Sequence, residues 1–152
     1  MLQSGLRETG RHYSGVNMLR LSRTPVDLPN GLSIPSNTIV SISPYLTHHD
    51  PALYPNPQEW LPERFISNPE LPREMNKDGK VAYMPFGAGV HRCPGEKFAN
   101  MLASVAIGML VRDYEISWPK GLEQQEMSQL DFTKVGAAWS KNPVYISVKR
   151  RK

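Results

Sequence analysis

The chain is poor in cysteine. It has one, Cys93, among 152 residues. A single thiol cannot close an internal disulfide, and it cannot build a zinc site of the usual several-thiolate kind. Long apolar runs are missing as well. None approaches the ~20 residues that span a bilayer, and no secretory signal pattern is visible. Basic residues interleaved with aromatics are lacking too. Lys149, Arg150, Arg151 and Lys152 account for the whole net charge of +4. They read as a solvated end, so nucleic acid is not an expected partner. No internal repeat is present. What remains has the length of one domain and an ordinary composition, 39% hydrophobic and 21% charged. That suffices for a core and argues against disorder. Proline is the abundant residue, with fourteen in all, most of them in the first half. Regular structure there must be short and broken by turns.

Residues 1–14 read as a helix, with Leu2, Leu6 and Tyr13 able to share one face. The pattern begins without an N-cap, as expected of a segment taken from something longer. Glu8 and Arg11 are three apart and can pair on the helix surface. Taken alone, such a pair is a surface contact worth less than about 1 kcal/mol. Residues 17–43 read as a small antiparallel sheet. Leu19 and Leu21 alternate there with Arg20 and Ser22, Pro29-Asn30-Gly31 marks a turn, and short strands follow at 32–34 and 38–43. Residues 44–80 form an irregular meander with seven prolines in 44–72 and aromatic anchors at Tyr45, Tyr54, Trp60 and Phe65. Such a stretch is expected to be functional or wrapped on a larger body. His48-His49-Asp50 has metal-like residue types, but adjacent side chains converge poorly on one ion, so a capping or loop role is expected. Phe98, Leu102, Val105, Ala106, Met109 and Leu110 recur at helix spacing. This predicts a long helix over 94–112 with Pro94 in its first turn and a wide apolar face needing cover. C-terminal β structure follows over 114–148, with strands at 114–118 and 144–148.

The chemistry concentrates in the loop 85–95. Gly87, Gly89 and Gly95 surround Cys93 just ahead of the long helix. Glycines let a backbone approach something closely, and a helix start stabilises a thiolate. Catalysis by a Cys–His pair would use His91, but two residues away in a tight loop is poor geometry for it. A redox pair would need a second cysteine. A buried inert thiol is the ordinary role of a lone cysteine, yet it has no need of three glycines. A single axial thiolate to haem iron uses all of these features.

Phe86-Gly87-x-Gly89-x-His91-x-Cys93-x-Gly95 resembles the haem-binding loop of the cytochrome P-450 superfamily, the haem-thiolate monooxygenases. Glu8-Thr9-Gly10-Arg11 resembles that family's Glu-x-x-Arg helix. Trp60-Leu61-Pro62-Glu63-Arg64-Phe65 resembles its Pro-Glu-Arg-Phe segment. The three motifs occur in the family's order. The resemblance implies a mainly α fold with small antiparallel β-sheets, the C-terminal part of a single cytochrome P-450 domain. It implies that Glu8, Arg11 and Arg64 form a buried charge network, which reverses the surface reading of the Glu8–Arg11 pair. It further implies haem b (iron protoporphyrin IX) on Cys93, with Phe86, Gly87 and Gly95 beside it and Arg20 and His91 on its propionates. Val16, Leu19 and Ala137 would touch substrate. Arg92 and Lys97 would receive an acidic electron donor or simply be solvated.

The implied reaction inserts one oxygen atom from O2 into an apolar small molecule, with electrons from NADPH through a cytochrome P-450 reductase or similar donor. Secondary metabolism or sterol and lipid oxidation is the implied setting. The endoplasmic reticulum membrane is the implied location of a full-length eukaryotic parent, with no anchor in this chain. The family's long central helix, with its acid–alcohol pair for oxygen activation, has no counterpart here. Two other readings therefore stand beside the first. One is a haem-thiolate isomerase or dehydratase that needs no reductase. The other is a non-catalytic truncated product that neither holds haem stably nor unfolds cooperatively.

Overall fold

The computed structural model describes residues 1–67, 82–122, 130–131 and 139–152. Helix α1 (Leu2–His12) leads into β1 (Met18–Ser22), β2 (Val26–Asp27), β3 (Ser33–Ile34) and β4 (Thr38–Ile42). Two short helices follow, α2 (Pro44–His48) and α3 (Arg64–Ser67), then a 3-10 turn at Gly89–His91 and the long helix α4 (Glu96–Asp113). The C-terminal part holds β5 (Tyr114–Ser117), β6 (Leu130–Asp131), β7 (Trp139–Ser140) and β8 (Ser147–Arg150). The described residues are thus helical with two-stranded antiparallel ladders.

α1 ends with Arg11 and His12, two basic residues against the negative end of its dipole. The face it buries is not the leucine face. Ser4, Glu8 and Arg11 are its buried residues, while Leu2 is exposed and Leu6 and Tyr13 are half-buried. The reason lies in what covers the helix. The meander presents backbone carbonyls, which need donors rather than methyl groups.

The expected single sheet over 17–43 is two separate ladders. β1 pairs with β4, Met18 opposite Ile42 through Ser22 opposite Thr38, and β2 pairs with β3. Gly31 turns the β2–β3 hairpin at φ +83°, where the Asn30 side chain accepts the Leu32 N–H. One face of β1–β4 carries Leu19, Leu21 and Ile39, all exposed, and the other carries half-buried Met18, Arg20 and Val40.

The meander is less irregular than its prolines suggest, since α2 and α3 lie within it. Ser43 at the N-cap and Pro44 at the first helical position start α2. Residues 68–80 of the expected meander fall outside the described set. Tyr54 and Phe65 are buried, whereas Trp60 is 43% exposed and lies over Gly5, its indole N–H donating to Thr9.

Helix α4 begins at Glu96 with Gly95 as N-cap, so Pro94 sits in the preceding turn rather than inside the helix. None of its residues is buried. Phe98, Leu102, Val105, Met109 and Leu110 are all exposed. The last strand is displaced from 144–148 to Ser147–Arg150, because β5 pairs Tyr114 with Arg150 and Ser117 with Ser147. The basic tail is therefore partly strand. The Arg151 N–H bonds the Asp113 carbonyl and its Nε bonds the Tyr114 carbonyl, while Lys149, Arg150, Arg151 and Lys152 all stay exposed to solvent as expected. Among the described residues the buried apolar side chains are Tyr54, Phe65, Ala82 and Met84, packed with Glu8, Arg11 and His48.

Candidate functional site

The site rests on Glu8. Its carboxylate accepts from Arg11 Nε (2.9 Å) and Nη2 (2.8 Å), from Arg64 Nε (3.0 Å) and from the Leu61 N–H (3.0 Å). The surface reading of Glu8–Arg11 fails because both side chains are fully buried. Burial pushes the Glu8 carboxyl up. The hydrogen bonds from Arg11 and Leu61, with the charges of Arg11 and Arg64, outweigh that and hold it below the ordinary value. Arg11 Nη1 then donates to the carbonyls of His48 (2.7 Å) and Pro57 (2.9 Å), and Arg64 Nη1 to that of Pro55 (2.9 Å). The two guanidiniums thus fold the proline-rich chain onto α1, supplying donors to carbonyls that no ladder could satisfy.

That scaffold grips the chain entering the cysteine loop. Tyr54 Oη donates to the Ala82 carbonyl (2.8 Å), and Tyr83 Oη to the Arg7 carbonyl (3.1 Å). The Met84 N–H donates to His48 Nε2 (2.9 Å). Gly10 of α1 lets this segment come close: a methyl there would lie 3.1 Å from Tyr83 Oη and 3.4 Å from Pro85. The loop then closes on itself. The Gly87 N–H bonds the Met84 carbonyl (3.0 Å), and the Cys93 N–H bonds the Phe86 carbonyl (2.8 Å). Gly87 stands at φ +79°, and a side chain there would meet Met18 of β1 at 3.3 Å.

The Cys93 thiol is exposed. A methyl added to Gly95 would lie 3.7 Å from the sulfur and within 4 Å of nothing else beyond its chain neighbours. The flank of the sulfur is therefore bare. Cys93 opens onto a cavity of about 1130 Å³ between α1 and α4, lined also by Gln3, Lys97, Asn100 and Ser104. Arg20 lines a second cavity of about 500 Å³ with Met18, Met84 and Ala88. Cys93 and Arg20 thus line two different cavities beside the loop. His91 lies exposed on the 3-10 turn, and Phe86 is half-buried. Arg92 is bound bidentately by Glu96 at 2.5 and 2.8 Å, so of the two proposed partner-facing cations its charge is locally matched. Val16 and Leu19 are exposed. Ala137 lies outside the described residues.

The donor set fits a haem. It offers one accessible sulfur with an open flank. Among the described residues no group of three or more His, Cys, Asp or Glu side chains could hold a metal ion. One accessible thiolate suits an iron whose remaining ligands come with a porphyrin.

Sequence reasoning missed His48. A role in a cap or loop was expected, but its side chain is fully buried, with Nδ1 bonded to the Arg11 carbonyl (3.2 Å) and its ring stacked on Tyr83. The Ser43-Pro44 helix start was the available signal. Gln3 was missed as well. Its amide reaches Ser104 of α4 across 3.0 Å and so closes one wall of the larger cavity.

Comparison with known proteins agrees with the motifs. The family model described as Cytochrome P450 matches residues 1–147. Cytochrome P450 monooxygenase pytD of Aspergillus terreus is 44% identical over 95% of this chain and 40% of its own length. Cytochrome P450 monooxygenase pyvB of Aspergillus violaceofuscus is 44% identical over 97% of this chain and 31% of its own length. Sterol 14-alpha demethylase CYP51A of Gibberella zeae is 30% identical over the whole chain and 32% of its own length. The chain thus spans about a third of the length of these relatives. With a family model matched over nearly all its residues, this chain belongs to the cytochrome P450 family.

Proposed function

We propose that this chain carries the axial-ligand part of a haem-thiolate monooxygenase, acting with the remainder of a longer cytochrome P450 domain. The observation that supports this best is one accessible sulfur on a hydrogen-bonded glycine loop, anchored to a buried Glu8–Arg11–Arg64 network. Cys93 would hold the iron, Phe86, Gly87 and Gly95 would lie beside the ring, and Arg20 and His91 would meet its carboxylates. The bound haem would supply O2 activation, and its thiolate ligand favours O–O cleavage.

The protein's own contribution is positional. The Cys93 N–H is engaged by the Phe86 carbonyl, which fixes the backbone that presents the sulfur. The open flank at Gly95 leaves room for a flat group against it. Val16 and Leu19 present apolar surface to a small apolar substrate, and Ala137 is assigned to the same role. Electrons would come from NADPH through a reductase. The exposed Lys97 offers a cation to an acidic donor, while Arg92 is already matched by Glu96. The endoplasmic reticulum membrane is the proposed location of a full-length parent. No helix among the described residues is long and apolar enough to cross a membrane.

A chimera tests this. The matching segment of the Aspergillus terreus relative is replaced by residues 1–152, and the reduced carbon monoxide complex is examined by difference spectroscopy. The red-shifted Soret band of a thiolate ligand is expected, and Cys93→Ser should abolish it. A chimera that folds and binds haem without that band overturns the proposal. Substrate-dependent consumption of NADPH and O2 then separates the monooxygenase from a reductase-independent isomerase or dehydratase.

A further inference from the structure

We infer that His48 is a positioning residue for Cys93, holding the path by which the chain enters the cysteine loop. The inference rests on the loop's proposed role as the thiolate carrier, but its geometry is independent of haem. His48 lies between two elements and a loop. Its carbonyl accepts from Arg11 Nη1 (2.7 Å), and its Nδ1 lies 3.2 Å from the Arg11 carbonyl. Its Nε2 lies 2.9 Å from the Met84 nitrogen. An amide N–H can only donate, so Nε2 carries the lone pair. The proton of the neutral ring is then on Nδ1, and it points to a carbonyl that can only accept. Both partners demand the same tautomer.

From Met84 the hydrogen bonds run without a gap to the cysteine. The Met84 amide is held by His48. The Met84 carbonyl accepts from Gly87 (3.0 Å), closing the turn over Pro85 and Phe86. The Phe86 carbonyl, delivered by that turn, accepts from the Cys93 N–H (2.8 Å). The Met84 N–H and C=O lie in adjoining peptide planes that meet at its Cα, so a shift of the Met84 backbone on release from His48 would move the turn and with it the acceptor that orients Cys93. The ring cannot swing away to allow this. It is fully buried, stacked on Tyr83 (centroids 5.6 Å apart) and edge-on to Tyr54 (6.3 Å). Arg11 and Glu8 of α1, His49 at the C-cap of α2, Tyr54 and Tyr83 are the charged and titratable groups around it.

Two substitutions of similar polarity separate positioning from mere packing. In His48→Gln the amide oxygen can reach the place of Nε2 and keep the acceptor for Met84. In His48→Asn the shorter amide keeps a donor near Nδ1 and loses that acceptor. Backbone amide exchange of the full 152-residue chain is measured for Met84 and Cys93. His48→Asn should speed exchange at both amides about fivefold, the factor for one lost hydrogen bond. His48→Gln should restore both towards wild type. Equal behaviour of the two variants at Cys93, or a freed Met84 amide with an unchanged Cys93, overturns the inference. None of these readouts involves haem. A failed chimera with this pattern intact would count against the haem assignment alone, and the reverse against His48 alone.

Discussion

At the scale of single residues, the molecule's stability hangs on groups that sequence patterns usually send to the surface. Glu8 and Arg11 are both fully buried and bonded to each other and to the meander. Removing Arg11 would leave the buried Glu8 carboxylate with Arg64 and the Leu61 N–H alone, and would take a donor from the buried His48 and Pro57 carbonyls. Arg11→Met should therefore destabilise the α1–meander unit by about 3–5 kcal/mol. Urea unfolding followed by Trp60 fluorescence measures it, since Trp60 lies on α1 at Gly5 and Thr9. A loss under about 1 kcal/mol would return the pair to the ordinary surface class. His48 makes a second prediction. Burial chiefly, then the charges of Arg11 and His49, lower its pKa from 6.5 to about 4, against the opposing pull of the Arg11 carbonyl and Glu8. The fold requires the neutral ring, while the unfolded chain takes up a proton below about 6.5. Its contribution is therefore complete above pH 6.5 and is lost as pH falls through about 4, roughly 3 kcal/mol over that window. His48→Gln should flatten this part of the stability–pH curve. Wild type and variant losing stability in parallel between pH 6.5 and 4 would sink the assignment.

At the scale of elements, the cysteine loop has two glycines at positive φ whose surroundings differ. Gly87 (φ +79°) faces Met18 at 3.3 Å, while Gly89 (φ +66°) has no atom within 4 Å of an added methyl. Both alanine variants incur left-handed strain of about 1–2 kcal/mol, and Gly87→Ala must also displace Met18 of β1. Gly87→Ala should thus weaken Cys93 amide protection more than Gly89→Ala does. The reverse order would mean the β1 contact does not hold the loop. This element was legible in the sequence because its chemistry is local: three glycines and a cysteine within nine residues declare a presented sulfur. α1 was legible as a helix but not by face. Leu2 and Leu6 suggested an apolar contact, whereas Ser4, Glu8 and Arg11 are buried, because the carbonyls that Arg11 satisfies come from residues 37 or more positions away. His48 was hidden for the same reason. Its partners are 36 and 37 positions off, and nothing within its own helix reveals them.

At the scale of the whole molecule, the buried residues are unevenly shared. Among the described residues the buried apolar side chains, Tyr54, Phe65, Ala82 and Met84, lie in the meander and the segment entering the loop, and α1 and His48 close around them. Helix α4 has eighteen residues and buries none, with Phe98, Met101, Leu102 and Val105 more than half exposed. Its link to α1 includes the exposed Gln3–Ser104 hydrogen bond. A helix of that length without a packed face is marginal in water, since most helical stability comes from tertiary burial. The chain should therefore open in parts rather than at once. Backbone amides at the centre of α4 should exchange at least about tenfold faster than those of Glu8 and Arg11 in α1, because their opening needs only local unwinding. Amide exchange on the 152-residue chain decides it. Equal protection of the two helices would show that α4 is held by the small core after all. Unequal protection would show that the small core does not cover Phe98, Leu102 and Val105. In the chimera with the Aspergillus terreus relative the same amides should then become slow, while those of α1 stay as they were.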